Sequence, residues 1–217
     1  MQKSVALLDH VSSPSVKWLS VGEVVTRFLS LMLVVSIPPI CLFIDLKVIG
    51  NGVSEQSVTE IAQLVMLALT IGCFILLAQK KSTERYFFLL AAAFFACMLI
   101  RELDALFDLI AHGLWLYVAA PIALTAIINA IKNSSATLQG LLRFVSSHSG
   151  VLMLVAIAIL VCYSRLMGMT GIWQNIMGDG YLRVVKNAVE EASELLGYSL
   201  ILSASMHYAF QRLRTEA

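Results

Sequence analysis

Residues 86–110 read YFFLLAAAFFACMLIRELDALFDLI. Fifteen uncharged residues run to Ile100, and Arg101, Glu102, Asp104 and Asp108 then fall within eight positions. At 1.5 Å per residue the stretch is long enough to cross a hydrocarbon core about 30 Å thick. A charge inside such a helix costs on the order of 2.5–3.5 kcal/mol even on the lenient insertion scale, so charged residues there pair with one another or line a wet cavity. The stretch therefore predicts a transmembrane helix whose second half carries the chemistry.

Five more runs of similar length, near 24–46, 57–79, 114–132, 150–168 and 182–208, are separated by short polar breaks. Hydrophobic residues make up 59% of the 217 and charged residues 13%, against about a quarter charged in soluble domains. The expected fold is all-α: a polytopic membrane bundle of six transmembrane helices forming a single membrane domain over 1–217. Residues 1–23 are expected as a cytoplasmic tail at the interface. A net charge of +1 without a long basic run excludes a nucleic-acid footprint. Cys41, Cys73, Cys97 and Cys162 all fall inside apolar runs and predict small buried hydrophobes rather than a disulfide framework. The first apolar run is as long as a full span, too long for the core of a cleaved signal, and is expected to remain as a helix.

Orientation follows from the basic residues of the short connections. Lys3, Lys17 and Arg27 precede or open the first run, Lys80, Lys81 and Arg85 follow the second, Lys132 and Arg143 the fourth, and Arg212 and Arg214 the sixth. The other connections carry only Lys47 and Arg183. Both termini are therefore expected in the cytoplasm, and the short loops and unpaired cysteines point to a bacterial inner membrane. Pro38 and Pro39 are expected to kink or unwind the first helix. The glycine-rich segment 168–181 is too short to cross and is expected as an interfacial lid on the outer side.

With that topology the intramembrane charges share one depth. Arg101, Asp104 and Asp108 lie on one helical face with His112 one turn beyond, while Glu102 points elsewhere. Lys186, Glu190 and Glu194 make a second stripe, with Glu191 turned away from it. Glu60 and Arg165 reach the same level from the second and fifth runs. If the network is purely structural, Arg101 with Glu190 or Arg165 with Glu102 is the ion pair expected to set helix register. The candidate ligand- or ion-binding residues are thus Glu60, Arg101, Glu102, Asp104, Asp108, Arg165, Lys186, Glu190, Glu191 and Glu194. Acids outnumber bases, so protons, a cation or water must share the layer.

Three readings stand. The leading one is a cavity open to the outer leaflet that binds a cation or small polar substrate, in transport or as an accessory subunit of a transporter. The second is a metal-assisted, membrane-embedded lipid-modifying hydrolase, with Asp104, Asp108 and His112 holding a hard divalent cation such as Mg²⁺, Ca²⁺ or Mn²⁺. The third is a purely structural ion-pair network in a subunit of a membrane complex. Membrane lipids are expected partners, with a membrane-protein partner or a second copy of the chain beside them. No motif carries a resemblance to a known family.

Overall fold

The computed structural model describes residues 20–50 and 57–214 of the chain, so most of the expected tail lies outside the described residues. These residues are helical, with no strand among them. The chain divides into two units between Leu33 and Val34. In the first, the opening of helix α1 (Val21–Phe43) is fixed by reciprocal bonds: the Glu23 carboxylate accepts from the Ser20 N–H at 2.8 Å, and the Glu23 N–H donates to the Ser20 hydroxyl at 3.2 Å. This is a capping box, which satisfies two donors that a helix start would otherwise leave open.

The second unit takes in the rest of α1, and α-helix continues through Pro38 and Pro39 to Phe43. The expected unwinding is not found there; a π-helical turn, Ile44–Ile49, follows instead. Then come α2 (Val58–Lys80), a 3-10 turn (Ser82–Glu84), α3 (Arg85–Glu102), the five-residue α4 (Asp104–Asp108) and α5 (Leu114–Lys132). An unexpected helix, α6 (Ser134–Val145), occupies the connection before α7 (His148–Ala158). A π-helical stretch (Ile159–Tyr163) runs into α8 (Ser164–Met167), followed by α9 (Thr170–Met177) and α10 (Arg183–Arg214).

Five helical segments are long and apolar enough to cross a membrane: Val21–Ile49, Val58–Lys80, Ser82–Glu102, Leu114–Lys132 and His148–Met167. The chain is a multi-pass integral membrane protein. The sixth expected crossing is not among these five: the opening turns of α10 carry Arg183, Lys186, Glu190, Glu191 and Glu194, and Ser199, Ser203, Ser205, His207 and Gln211 dilute the apolar residues that follow. Its 32 residues nevertheless form one helix, packed against α2 and α7. The third expected span also changes: α3 stops at Glu102, and a turn at Leu103 separates it from α4.

The core lies between α2, α3, α7 and α10. Leu67, Leu77, Phe88, Leu195 and Ile201 are fully enclosed, and Phe74 stacks on Phe95 with ring centroids 5.7 Å apart. In lipid the tails are as apolar as these side chains, so close packing and interhelical bonds hold the helices together rather than escape from water. The outward faces are apolar, as on α5, where Leu116, Leu124, Ile128 and Ile131 are exposed. Of the four cysteines only Cys41 is buried; Cys162 is exposed, contrary to the expectation for it.

Candidate functional site

Each helix around the site arrives with its terminus there. The start of α2 is secured by Ser57, whose hydroxyl accepts from the Glu60 N–H at 3.2 Å, and by Asp45, fully buried on the π-helical turn. Asp45 accepts from the N–H groups of Val58 at 2.7 Å and Thr59 at 3.0 Å, and from the Thr59 hydroxyl at 2.6 Å. These bonds satisfy first-turn donors that would otherwise be orphaned away from water. The capping-box pattern Ser57 to Glu60 was available as a sequence signal; the role of Asp45, thirteen residues from its partner, had none.

The chain reverses after α4 at Gly113, whose φ of 76° lies in the left-handed region open to glycine. The Gly113 N–H donates to Asp108 Oδ1 at 3.0 Å, and Asp108 Oδ2 pairs with His112 Nδ1 at 2.9 Å. Asp108 is thereby committed to closing the turn. The stripe expected from Arg101 to His112 is split: Arg101 and Asp104 line a cavity, whereas Asp108, bound to the turn at Gly113, and His112 do not. Among the described residues no three His, Cys, Asp or Glu side chains are gathered as a metal site.

The cavity has a volume of about 580 Å³. Its charged lining consists of Glu60, Glu102, Asp104, Glu190, Glu191 and Glu194 with Arg101, Arg165, Arg183 and Lys186. Nine of the ten residues singled out from the sequence are therefore brought together, Asp108 being the exception. Six carboxylates face four cations, a formal charge of −2 if all are ionised.

The expected pairings are exchanged. Arg101 Nη1 donates to Glu102 at 3.1 Å rather than to Glu190, and Arg165 stands 2.6 Å from Glu194 and 3.9 Å from Glu190 rather than beside Glu102. Lys186 donates to Glu190 at 2.7 Å, one turn along α10. Two polar residues not singled out from the sequence complete the network. Buried Gln63 donates to the Glu191 carboxylate at 3.0 Å and to its backbone carbonyl at 3.3 Å, and the Tyr198 hydroxyl donates to Glu102 at 2.8 Å. Both were legible only as polar residues inside apolar runs.

Gly168, at the end of α8, lies against the Glu190 carboxylate so closely that a Cβ there would collide with it. Just beyond it, the Trp173 indole N–H on α9 donates to the Met167 carbonyl at 2.5 Å. The expected lid segment thus holds a short helix, anchored beside the cavity.

A second ionic cluster occupies the opposite end of the bundle. Glu84, 3% exposed, accepts from Arg212 Nη2 at 2.9 Å on both oxygens and also pairs with Arg143, joining the 3-10 turn, α10 and α6. Comparison with protein-family models, curated proteins and solved structures finds no match.

Proposed function

We propose that the cavity binds a cation or a small polar solute bearing a positive group, and that the chain acts in transport or as an accessory subunit of a transporter. The observation that carries this is the surplus of carboxylates over cations in one cavity. Charges taken out of water are costly unless matched, and a positively charged ligand supplies the missing match. Ion pairs already hold Glu102, Glu190 and Glu194, so the lining has a built geometry before any ligand arrives.

The same reading makes α10 a sixth crossing and puts both termini in the cytoplasm of a bacterial cell, with the cavity facing outward. Thirty-two residues at 1.5 Å each give a helix of about 48 Å, ample for a bilayer. Its charged turns face the cavity rather than lipid. Lys80, Arg85, Lys132, Arg143 and Arg214 belong to the end opposite the cavity, in agreement with an excess of basic residues on the cytoplasmic side.

Native mass spectrometry from lipid nanodiscs tests the binding. A small adduct is expected on the wild type and on Asp108→Asn, whose carboxylate is outside the cavity, and is expected to be lost in Glu191→Gln. A bare wild-type mass across a panel of divalent metals and small amines would remove the reading.

A further inference from the structure

Residues Glu194, Tyr198, Ile201, Ser205, Tyr208 and Arg212 recur along α10 at the spacing of a single helical face. They cover about 27 Å, close to the thickness of a hydrocarbon core. The face starts in the cavity, where Tyr198 donates to Glu102, and ends at the Arg212–Glu84 cluster. Apart from Ile201 every member is polar, and Glu194, Tyr198, Ser205 and Tyr208 are each at least 95% buried.

Neighbouring helices add hydroxyls to this face. The Gln63–Glu191 and Met66–Ser199 contacts set α2 parallel to α10 and bring Thr70, one turn beyond Met66, level with the apolar step at Ile201. Arg165 pairs with Glu194, and Gly197 approaches Ala156 and Leu160, which together set α7 antiparallel to α10 and put Ser149 level with Ser205 and Tyr208. The hydroxyls of Thr70, Ser149 and Tyr208 are 0%, 1% and 3% exposed by residue and have no hydrogen-bond partner among the described residues. Buried hydroxyls are nearly always bonded, and internal water is the usual partner where protein supplies none. From Tyr198 to Ser205 the helix rises about 10 Å, too far for one hydrogen bond, so a continuous path past Ile201 requires two or three waters beside Thr70.

We propose that the Tyr198–Tyr208 face of α10, with Thr70 and Ser149, binds a file of internal water that carries protons between the cavity and the Glu84 end of the bundle. Each hydroxyl takes a proton from one neighbour and releases its own to the next, so one proton crosses and no group is oxidised. The path stands on the buried hydroxyls and does not depend on what the cavity binds.

Radiolytic footprinting, which generates hydroxyl radicals from water already inside the protein, tests the water. After correction for intrinsic reactivity, Met66 and Tyr208 are expected to be modified at least ten times faster than Phe87 and Phe95 on α3, which are comparably buried and have no ring contact with Tyr208. Equal rates overturn the proposal. Proton uptake into liposomes loaded with a pH dye, under a potassium diffusion potential, tests conduction. Wild-type protein is expected to exceed empty liposomes, and Thr70→Val and Tyr208→Phe, which keep shape and lose the hydroxyl, are expected to lower uptake at least five-fold. Wild-type uptake at the level of empty liposomes, or unchanged uptake in both folded variants, overturns it. Adduct binding in native mass spectra, read separately, reports on the cavity alone.

Discussion

The guanidinium of Arg165 stands 2.6 Å from the carboxylate of Glu194, and the two are unequally placed: Arg165 keeps 47% of its side-chain surface and Glu194 only 6%. Removing the arginine strands a buried carboxylate, whereas neutralising the glutamate leaves a cation that still reaches water. Arg165→Ala is therefore expected to cost about 2–3 kcal/mol and Glu194→Gln about 1 kcal/mol, below the full penalty of breaking an enclosed pair. The double variant should cost less than the sum of the two. Unfolding in detergent measures all three, and a larger loss for Glu194→Gln than for Arg165→Ala would contradict the asymmetry.

Gly168 makes a separate prediction about the cavity. A methyl group there meets the Glu190 carboxylate, which must leave either Lys186 or Arg165. Gly168→Ala is expected to weaken ligand binding at least ten-fold while the protein still folds. Gly171→Ala, where a Cβ meets nothing within 4 Å, is the matched control. Equal binding by both variants would show that the Glu190 position is immaterial.

Asp108 gives the pH prediction. The Gly113 N–H, and after it the bond and charge of His112, hold its carboxyl below the usual carboxylate range. A depressed folded-state value means that the turn is supported above the unfolded-state value and loses that support as the pH falls through the folded one. The carbon-13 carboxyl shift of Asp108 should titrate at a lower pH than a free aspartate, and His112→Ala should move its midpoint upward. The Gly113 amide shift should follow the same curve; a midpoint insensitive to His112→Ala would discard the pairing.

What could be read from the amino-acid order was whatever depends on runs and periods. Long uncharged runs located the five helices apolar enough to cross a membrane, and the 3.6-residue period placed Lys186, Glu190 and Glu194 on one face of α10. Helix rotation relative to neighbours is not encoded in such runs, which is why Arg101 and Arg165 took partners other than those expected. The break at Leu103 has no Gly or Pro to announce it, and it interrupts the face expected to run from Arg101 to Asp108. The mixed polarity of Ser134–Val145 resembles a loop, although its Phe144 is buried against Tyr208, with ring centroids 4.8 Å apart. Asp45 and Glu84 find their partners 13, 59 and 128 residues away, beyond the reach of any local pattern.

Glu84 supports the last prediction, because one buried carboxylate is shared by two arginines of unlike exposure. Arg143 keeps 60% of its side-chain surface and Arg212 keeps 23%. Losing Arg143 removes a contact that water largely replaces, so Arg143→Ala is expected to cost about 0.5 kcal/mol. Glu84→Gln leaves two guanidinium groups facing each other around a neutral amide and is expected to cost about 3 kcal/mol. Because Glu84 joins the 3-10 turn, α6 and α10, the damage should be local as well as global: hydrogen exchange across Ser134–Val145 should rise in Glu84→Gln while the amides of α2 stay protected. Replacing Arg212 by Gln in the same chain should recover part of the loss, since the repulsion disappears with it. Uniform deprotection of all helices, or no recovery in the double variant, would mean that Glu84 supports the whole bundle rather than anchoring α6.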